Sequence, residues 1–339
     1  MRNKLVDIVN KAYEQQHRLV APLVGFPGVK ITGSTIKLAQ QNCREHFNTI
    51  YALYNTFKPD VIFPLMDLSV EANALGRYTV FPKEDSATVP KDEFSLSELD
   101  KLADIDISFD SRVLSYAETL KLARMNIPDP TFNAAYITGP YTLAALLIGA
   151  EEAAIQTILK PEDLHQVCEL ATRKILDYTR ILTASGAQII CILEPSAVML
   201  GPDHFEEFSV KYVHRITDEC HNSGISAVYH ICGNTNHLIQ KMVEANVDAL
   251  SLDSTEFGVS LPEVVKIIPQ DLVLIGNISP TRTILREKPT DVTKEVNDLL
   301  TAMNPYPNFI LSTGCDLPQE TPLENIRAFM NAGKNFRIT

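Results

Sequence analysis

The sequence has no apolar run long enough to cross a membrane. A transmembrane helix needs about 18 or more consecutive apolar residues, and no such run occurs in the 339 residues. The opening stretch, 1–18, has the pattern of a polar helix and lacks the apolar core of a signal peptide. We therefore expect a cytoplasmic protein that has no membrane partner.

Basic residues are in the minority, and cysteines are few. The chain has 30 Lys and Arg residues against 42 Asp and Glu residues, which gives a formal net charge of −12. An acidic surface repels phosphate backbones, so nucleic acid is not expected as a partner. In a reducing cytosol the six cysteines are expected to be thiols or metal ligands and not disulfides. Four of them are expected to be buried thiols: Cys43, Cys168, Cys191 and Cys220.

Internal repeats, low-complexity tracts and linkers are also absent, so residues 1–339 are expected to form a single domain. Eight short apolar runs alternate with helical patterns, and most of these runs are hydrophobic almost throughout. Such runs are typical of parallel strands that are covered on both faces. Eight strand–helix units predict a (β/α)8 TIM barrel, and a doubly wound open sheet is the alternative that periodicity leaves open. The runs are 19–26, 60–67, 134–140, 187–195, 226–233, 248–253, 271–278 and 308–315.

One stretch, 77–112, interrupts this alternation. It is polar and charged, and it follows the second predicted strand. We interpret it as an excursion from the barrel, in a position where it would cover the barrel mouth.

Polar residues gather where the predicted strands end, and the active site of such a barrel lies at the carboxyl ends of its strands. His230 and Cys232 stand two residues apart at the end of the fifth strand, so both side chains can point to the same side. Cys315 ends the eighth strand and meets them most easily if the sheet closes. One imidazole and two thiolates predict a zinc site with one open position, the usual pattern of catalytic zinc. From the spacing alone, an equally good interpretation is that all three residues belong to the core.

Five segments of the sequence resemble the uroporphyrinogen decarboxylase superfamily. Within that superfamily they are similar to the methylcobamide:coenzyme M methyltransferases. The specific signal is the HICGN motif followed, at this separation, by GCDLPQETPLENI. The resembling segments are ITGPYTLAALLIG (137–149), LEPSAVMLGPDHFEEF (193–208), YHICGNTNHLIQKM (229–242), LIGNISPTRTIL (274–285) and LSTGCDLPQETPLENIRAF (311–329).

This resemblance implies a chemistry for the site. It implies that His230, Cys232 and Cys315 bind zinc, and that the zinc activates a small thiol such as coenzyme M. The thiolate would then attack the methyl group of a corrinoid, methylcobalamin, carried by a partner protein. Asp253 is our first candidate for a fourth zinc ligand and Glu194 is the second. For either carboxylate, a hydrogen bond to a ligand is an equally good interpretation.

Three alternative functions stay open from the sequence. Related methyltransferases move a methyl group from a methoxy compound or a methylamine to the corrinoid. Two thiolate ligands favour the thiol-acceptor direction, because they leave the zinc nearly neutral. A decarboxylase-like lyase fits less well, because the segment 18–36 is not rich in arginine, as the resemblance would require of a segment that holds porphyrin carboxylates. The third alternative is a zinc-binding scaffold without catalysis, and a homodimer is a further expectation.

Other polar or small residues at strand ends are expected to line the pocket. Gly139, Asn277 and Ser279 are the candidates for binding the cofactor. Asp316 follows Cys315 directly, and the sequence leaves open whether it faces the pocket. Two arginines are candidate anchors for an anionic acceptor: Arg77 and Arg282.

Overall fold

The computed structural model describes residues 4–91 and 94–338. Its centre is a parallel sheet of seven strands, in which each strand pairs with the next one along the chain. This arrangement confirms the predicted parallel α/β architecture, and it differs from the open-sheet alternative, in which the strand order would reverse. The strands are β1 (Val61–Ile62), β2 (Phe132–Thr138), β3 (Ile189–Leu193), β4 (Ser226–Ile231), β5 (Ala249–Leu252), β6 (Val273–Ile278) and β7 (Phe309–Thr313).

The segment 19–26, predicted as the first strand, contributes only an isolated parallel bridge between Val20 and Leu311. The Ala21 N–H donates to the Leu311 carbonyl at 2.8 Å, and on the other side the Asp60 N–H donates to the Val20 carbonyl at 2.9 Å. The segment therefore contacts β7 and the residue that precedes β1. The expectation of eight regular strands is corrected to seven strands and this bridge.

Two prolines account for the short first elements. Pro22 lies within the bridging segment and Pro64 lies shortly after β1. Proline has no N–H to donate to a neighbouring strand, so a regular ladder is interrupted where it occurs. The predicted strand 60–67 is accordingly reduced to the two residues of β1.

Four helices precede the first strand, and further helices follow the strands and pack against the outer face of the sheet. The longest, α10, begins at Pro161 and has Glu162 and Asp163 in its first turn, where acidic groups oppose the positive end of the helix dipole. The helices are α1 (Lys4–Glu14), α2 (Gly28–Thr32), α3 (Ile36–Gln41), α4 (Cys43–Phe57), α5 (Val70–Ala74), α6 (Leu99–Ala103), α7 (Ser111–Asn126), α8 (Pro140–Ile148), α9 (Ala150–Leu159), α10 (Pro161–Ala184), α11 (Pro202–Phe205), α12 (Lys211–Asn222), α13 (Ile239–Glu244), α14 (Leu261–Val264), α15 (Pro289–Ala302) and α16 (Leu323–Asn335).

Strand alternation divides the buried residues into an inner and an outer core. In β3, Ile189 and Cys191 belong to the inner cluster, which also includes apolar residues of α1. Ile190 and Ile192 belong to the larger outer cluster between the strands and the helices. Both faces of the sheet are therefore buried, which is why the strands are hydrophobic almost throughout.

The stretch 77–112 adds no strand to the sheet. Its described part contains α6, two single-turn 3₁₀ helices at Leu96–Glu98 and Ile107–Phe109, and an antiparallel bridge between Val80 and Thr88. Residues 92 and 93 of this stretch lie outside the described residues. That it covers the barrel mouth stays a prediction.

No single helix within 4–91 and 94–338 is long and apolar enough to span a membrane. One bent pair, α8 with α9, passes that test by length and composition only, and nearly all of α8 is buried inside the protein.

Candidate metal centre

Three side chains predicted as metal ligands are brought together at the carboxyl ends of β4 and β7. His230 lies in β4, Cys232 lies one residue beyond it, and Cys315 lies two residues beyond β7. His230 Nε2 is 3.1 Å from Cys232 Sγ and 3.8 Å from Cys315 Sγ, and the two sulfur atoms are 3.0 Å apart. Within the described part of the chain, this is the one group of at least three such side chains whose ligand atoms lie this close together.

The donor set suits Zn²⁺. Nitrogen and sulfur donors are the preferred ligands of zinc, and three protein ligands leave one position for an exchangeable group. Two sulfur atoms bound to zinc at about 2.3 Å with tetrahedral angles lie about 3.8 Å apart, so the cysteines need to separate by less than an ångström. His230 is buried, whereas Cys232 and Cys315 are half-buried, so the sulfur side is the accessible one.

Strand register orients the histidine. His230 pairs with Ser251 of the neighbouring strand β5, and the two side chains lie on the inner face of the sheet. His230 Nδ1 is 2.9 Å from the Ser251 hydroxyl, and this contact leaves Nε2 directed toward the two sulfur atoms. Ser251 was not among the site residues predicted from the sequence. The available signal was its position two residues before Asp253, on the same face of the strand.

Asp253, the first candidate for a fourth ligand, accepts backbone hydrogen bonds next to the clustered side chains. Its two carboxylate oxygens accept the backbone N–H groups of Gly233 and Ser254, each at 2.7 Å. Burial raises the pKa of this carboxyl, and these hydrogen bonds, together with His230, lower it. Because Gly233 follows Cys232 directly, the carboxylate holds the chain at that cysteine, and Asp253 is not among the clustered ligand atoms.

Glu194 also lies away from the clustered atoms. It follows β3 in the alternation of Ile190 and Ile192, so its side chain lies on the outer face, between the strand and α8. There it is buried, and its Oε1 accepts the Thr142 N–H at 3.1 Å. Burial raises the pKa of Glu194 to about 8. Its expected role as the second candidate ligand is thus not supported by its position.

The three residues expected to bind the cofactor are buried and have local partners. A β-carbon added to Gly139 would overlap the carboxylate of Glu194, so glycine is required here for close packing. Asn277 donates to the carbonyls of Asp253 and Val259 at 2.8 and 2.9 Å, and so stabilises the ends of neighbouring strands. Ser279 donates to a carboxylate oxygen at 2.7 Å and caps a turn of π-helix at Pro280–Ile284.

Asp316 lines a cavity of about 350 Å³, which also has Glu84 and Asp85 of the stretch 77–112 in its wall. One oxygen of Asp316 accepts the N–H groups of Gly25 and Leu317 at 3.2 and 3.0 Å. Burial raises the pKa of this carboxyl to about 7. Asp316, which follows Cys315 in the chain, therefore connects two loops and also lines a cavity.

The remaining sequence expectations have mixed outcomes. Cys168, Cys191 and Cys220 are buried as expected, whereas Cys43 is half-buried.

The guanidinium of Arg282 contacts Glu295 at 3.0 Å, so its charge is already compensated. Arg77 is buried and lies over an aromatic ring. Neither arginine lies free at the surface as an anchor for an anion.

A second buried polar cluster was missed by the sequence analysis. Asp67, which follows β1, forms an ion pair with Arg112 and accepts the Tyr116 hydroxyl at 2.9 Å. Nearby, Glu71 accepts the backbone and side-chain donors of Thr138 at 2.7 and 2.9 Å, and burial raises its pKa to about 7. These partners are far apart in sequence, so no local pattern could reveal them.

Comparison with known proteins identifies the family. The sequence profile of the uroporphyrinogen decarboxylase (URO-D) family matches residues 29–336. The chain therefore belongs to this family.

Its relatives include both decarboxylases and methyltransferases. The chain is 23% identical to a uroporphyrinogen decarboxylase of Prochlorococcus marinus, over 83% of this chain and 81% of the relative. It is 27% identical to the methylcobamide:CoM methyltransferase MtaA of Methanosarcina barkeri, over 66% of this chain and 63% of the relative. The solved structure of a methyltransferase from Methanosarcina mazei has the same fold, with a TM-score of 0.85, 22% identity and 93% coverage of both chains.

Proposed function

We propose that the protein is a zinc-dependent methyltransferase that moves a methyl group between a corrinoid and a small thiol. The observation that carries this proposal is the convergence of His230, Cys232 and Cys315, whose ligand atoms lie 3.0–3.8 Å apart. Relatives named as methylcobamide:CoM methyltransferases support the same reaction class. The corrinoid would be methylcobalamin on a partner protein, and coenzyme M is one thiol to test.

Four residues of the chain would have distinct roles in this reaction. His230, Cys232 and Cys315 would hold the zinc, with the histidine on the buried side and the sulfurs on the accessible side. When bound, zinc supplies a positive charge that lowers the pKa of a coordinated thiol and keeps it as a nucleophilic thiolate. Asp253 would fix the chain beside Cys232 through the Gly233 N–H. The methyl group would pass to the thiolate sulfur as the carbon–cobalt bond breaks and leaves its electron pair on cobalt.

The direction of transfer rests on the charge of the donor set. Two thiolates and a neutral imidazole balance the charge of Zn²⁺, so a bound third thiolate keeps its electron density. This balance favours a thiol acceptor over transfer from a methoxy compound or a methylamine. A zinc-binding scaffold without catalysis would need a fourth protein ligand to close the coordination sphere of the zinc. The two candidate carboxylates, Asp253 and Glu194, instead accept backbone N–H groups. Among the described residues, we find no contact at this centre that favours a decarboxylase.

Metal content is the first test. We expect about one zinc per chain by elemental analysis, with most of it lost in Cys232→Ser and in Cys315→Ser. Cys43→Ser is the matched control, because Cys43 is equally half-buried but lies outside the cluster. Retention of zinc in both cluster variants, or its absence from the natural chain, would contradict the proposed centre.

The reaction is tested with methylcobalamin and a panel of thiols, by following the absorption spectrum of the corrin. We expect demethylation with at least one thiol by the zinc-loaded protein and none by the Cys232→Ser variant. Demethylation at equal rates with and without zinc would exclude thiol activation by the metal. Methyl transfer to the corrinoid from a methoxy compound or a methylamine, with no thiol active, would favour the opposite direction.

A further inference from the structure

Ser251 is the side chain that contacts His230 on the side away from the sulfur atoms. It lies in β5, is 1% exposed, and has its hydroxyl oxygen 2.9 Å from His230 Nδ1. The two residues are paired across β4 and β5, so the sheet itself sets this distance. The contact therefore belongs to the rigid part of the barrel and not to a loop.

The positions of the three atoms decide which nitrogen carries the proton. Nε2 lies 3.1 Å from Cys232 Sγ and 3.8 Å from Cys315 Sγ, so Nε2 is the nitrogen available to a metal. A neutral imidazole that binds through Nε2 carries its proton on Nδ1. That N–H needs an acceptor because it is buried, and the Ser251 oxygen occupies the required position.

The chemical nature of this acceptor also has a consequence. Metal-binding histidines often donate to a carboxylate, which makes the imidazole a stronger donor. A hydroxyl is neutral, so it orients the ring without adding a negative charge to a centre that already has two thiolates. An uncharged acceptor at position 251 thus preserves the charge balance on which thiol activation depends.

We infer that Ser251 is a positioning residue of the metal centre, which accepts the Nδ1–H of His230 and so directs Nε2 to the metal. The inference rests on the zinc centre of the proposed function, but it concerns metal affinity and not methyl transfer. Related outer contacts of metal-binding histidines change metal affinity by about ten- to a hundredfold when removed.

Zinc affinity is measured by competition with a chromogenic chelator, with the zinc-loaded full chain as the starting material. We expect Ser251→Ala to weaken zinc binding about ten- to a hundredfold and Ser251→Thr, which keeps the hydroxyl, to restore most of the affinity. Ser312→Ala is the matched control: Ser312 is also buried in the sheet and donates to the Ala21 carbonyl at 2.7 Å. The Ser312→Ala variant should lose about as much stability as Ser251→Ala but should keep the zinc affinity of the natural chain.

Nitrogen-15 NMR of the imidazole supplies a readout that a general loss of packing would not change. We expect zinc on Nε2 and a slowly exchanging Nδ1–H in the natural chain and in Ser251→Thr, and faster exchange in Ser251→Ala. Unchanged affinity in Ser251→Ala, equal weakening in Ser312→Ala, or zinc bound through Nδ1 would overturn the inference. If Ser251→Ala does not fold, the spectra of the natural chain and Ser251→Thr still decide. Failure of the natural chain to bind zinc would instead refute the proposed function.

Discussion

Gly139 offers a sharp test of the packing behind the metal centre. It precedes Pro140 at the start of α8, with φ −73° and ψ 157°, a conformation that alanine also adopts readily. The obstacle to a side chain is therefore space and not backbone strain. A β-carbon would lie 3.0 Å from Glu194 Cβ and would overlap the carboxylate itself, which is fully buried.

Gly139→Ala should consequently destabilise the fold by two additive effects. Forcing extra volume into a packed core costs about 1–3 kcal/mol. Moving the Glu194 carboxylate also leaves the Thr142 N–H without its acceptor, at about 1–3 kcal/mol. Alanine also lowers the conformational entropy of the unfolded chain relative to glycine, which stabilises the folded state by about 0.4–1 kcal/mol. The expected net loss in the free energy of unfolding is therefore about 1–6 kcal/mol.

Gly201 supplies the matched control for this substitution. It too precedes a proline at the start of a helix, with φ −70° and ψ 160°, and no atom lies within 4 Å of an added β-carbon. Gly201→Ala should be neutral or slightly stabilising in chemical denaturation. In the double variant Gly139→Ala/Glu194→Ala the added methyl has room, so the loss should be less than the sum of the single losses. Equal stability of Gly139→Ala and Gly201→Ala would show that the Glu194 side chain leaves room for a β-carbon at position 139.

Three further predictions concern protons and carboxylates. Hydrogen bonding to Cys232 and burial raise the pKa of Cys315 in the metal-free chain, so zinc binding must displace the proton of this thiol. The logarithm of the zinc affinity should therefore rise with pH, and in Cys315→Ser the slope should be smaller by about 1 per pH unit. Glu194 has its pKa raised to about 8 when folded, so its contribution to stability is full below the unfolded value and is lost as pH rises through about 8. Between the unfolded pKa and about pH 8, the natural chain should lose roughly 5 kcal/mol more of its free energy of unfolding than Glu194→Gln does in chemical denaturation. Asp253→Asn should lower the free energy of unfolding by about 1–3 kcal/mol, because an amide has one acceptor oxygen for two N–H groups, while elemental analysis should still give one zinc per chain.

Each of these expectations has its own contrary result. Zinc affinity independent of pH would mean that the Cys315 thiol is already ionised in the metal-free chain. The same pH dependence of stability in Glu194→Gln as in the natural chain would show that other groups titrate. Loss of zinc from Asp253→Asn at undiminished stability would restore Asp253 as a metal ligand.

The contacts around the candidate metal centre were harder to predict than the three candidate ligands. His230 and Cys232 could be placed on one side of a strand because alternation is a local property of the backbone. The same rule, applied to Glu194, would have directed its side chain away from the barrel axis, since Leu193 takes the inner position. The contact between Ser251 and His230 could not be predicted by this rule, because it depends on the register between β4 and β5.

The short strands show a similar division between local and tertiary causes. Pro22 and Pro64 are visible in the sequence, and each removes an N–H from the expected ladder. Hydrophobicity alone predicted full strands over 19–26 and 60–67. An apolar run indicates burial, but it does not show which backbone N–H and C=O groups have hydrogen-bond partners. The structure supplies those partners, with Val20 bridged to Leu311 and only Val61–Ile62 paired as a strand.

From the amino-acid sequence alone one can predict the parallel α/β class, the family resemblance and the three candidate ligands. Each of these depends on hydrophobic runs, alternation or motifs that lie within short segments of the chain. Other contacts can be seen only in the folded chain: Asp253 accepts backbone N–H groups, Glu194 packs against Gly139, and Ser251 contacts His230. The physical reason is that hydrogen bonding and close packing join residues from different strands, and their geometry exists only once the sheet has set the register and spacing between them.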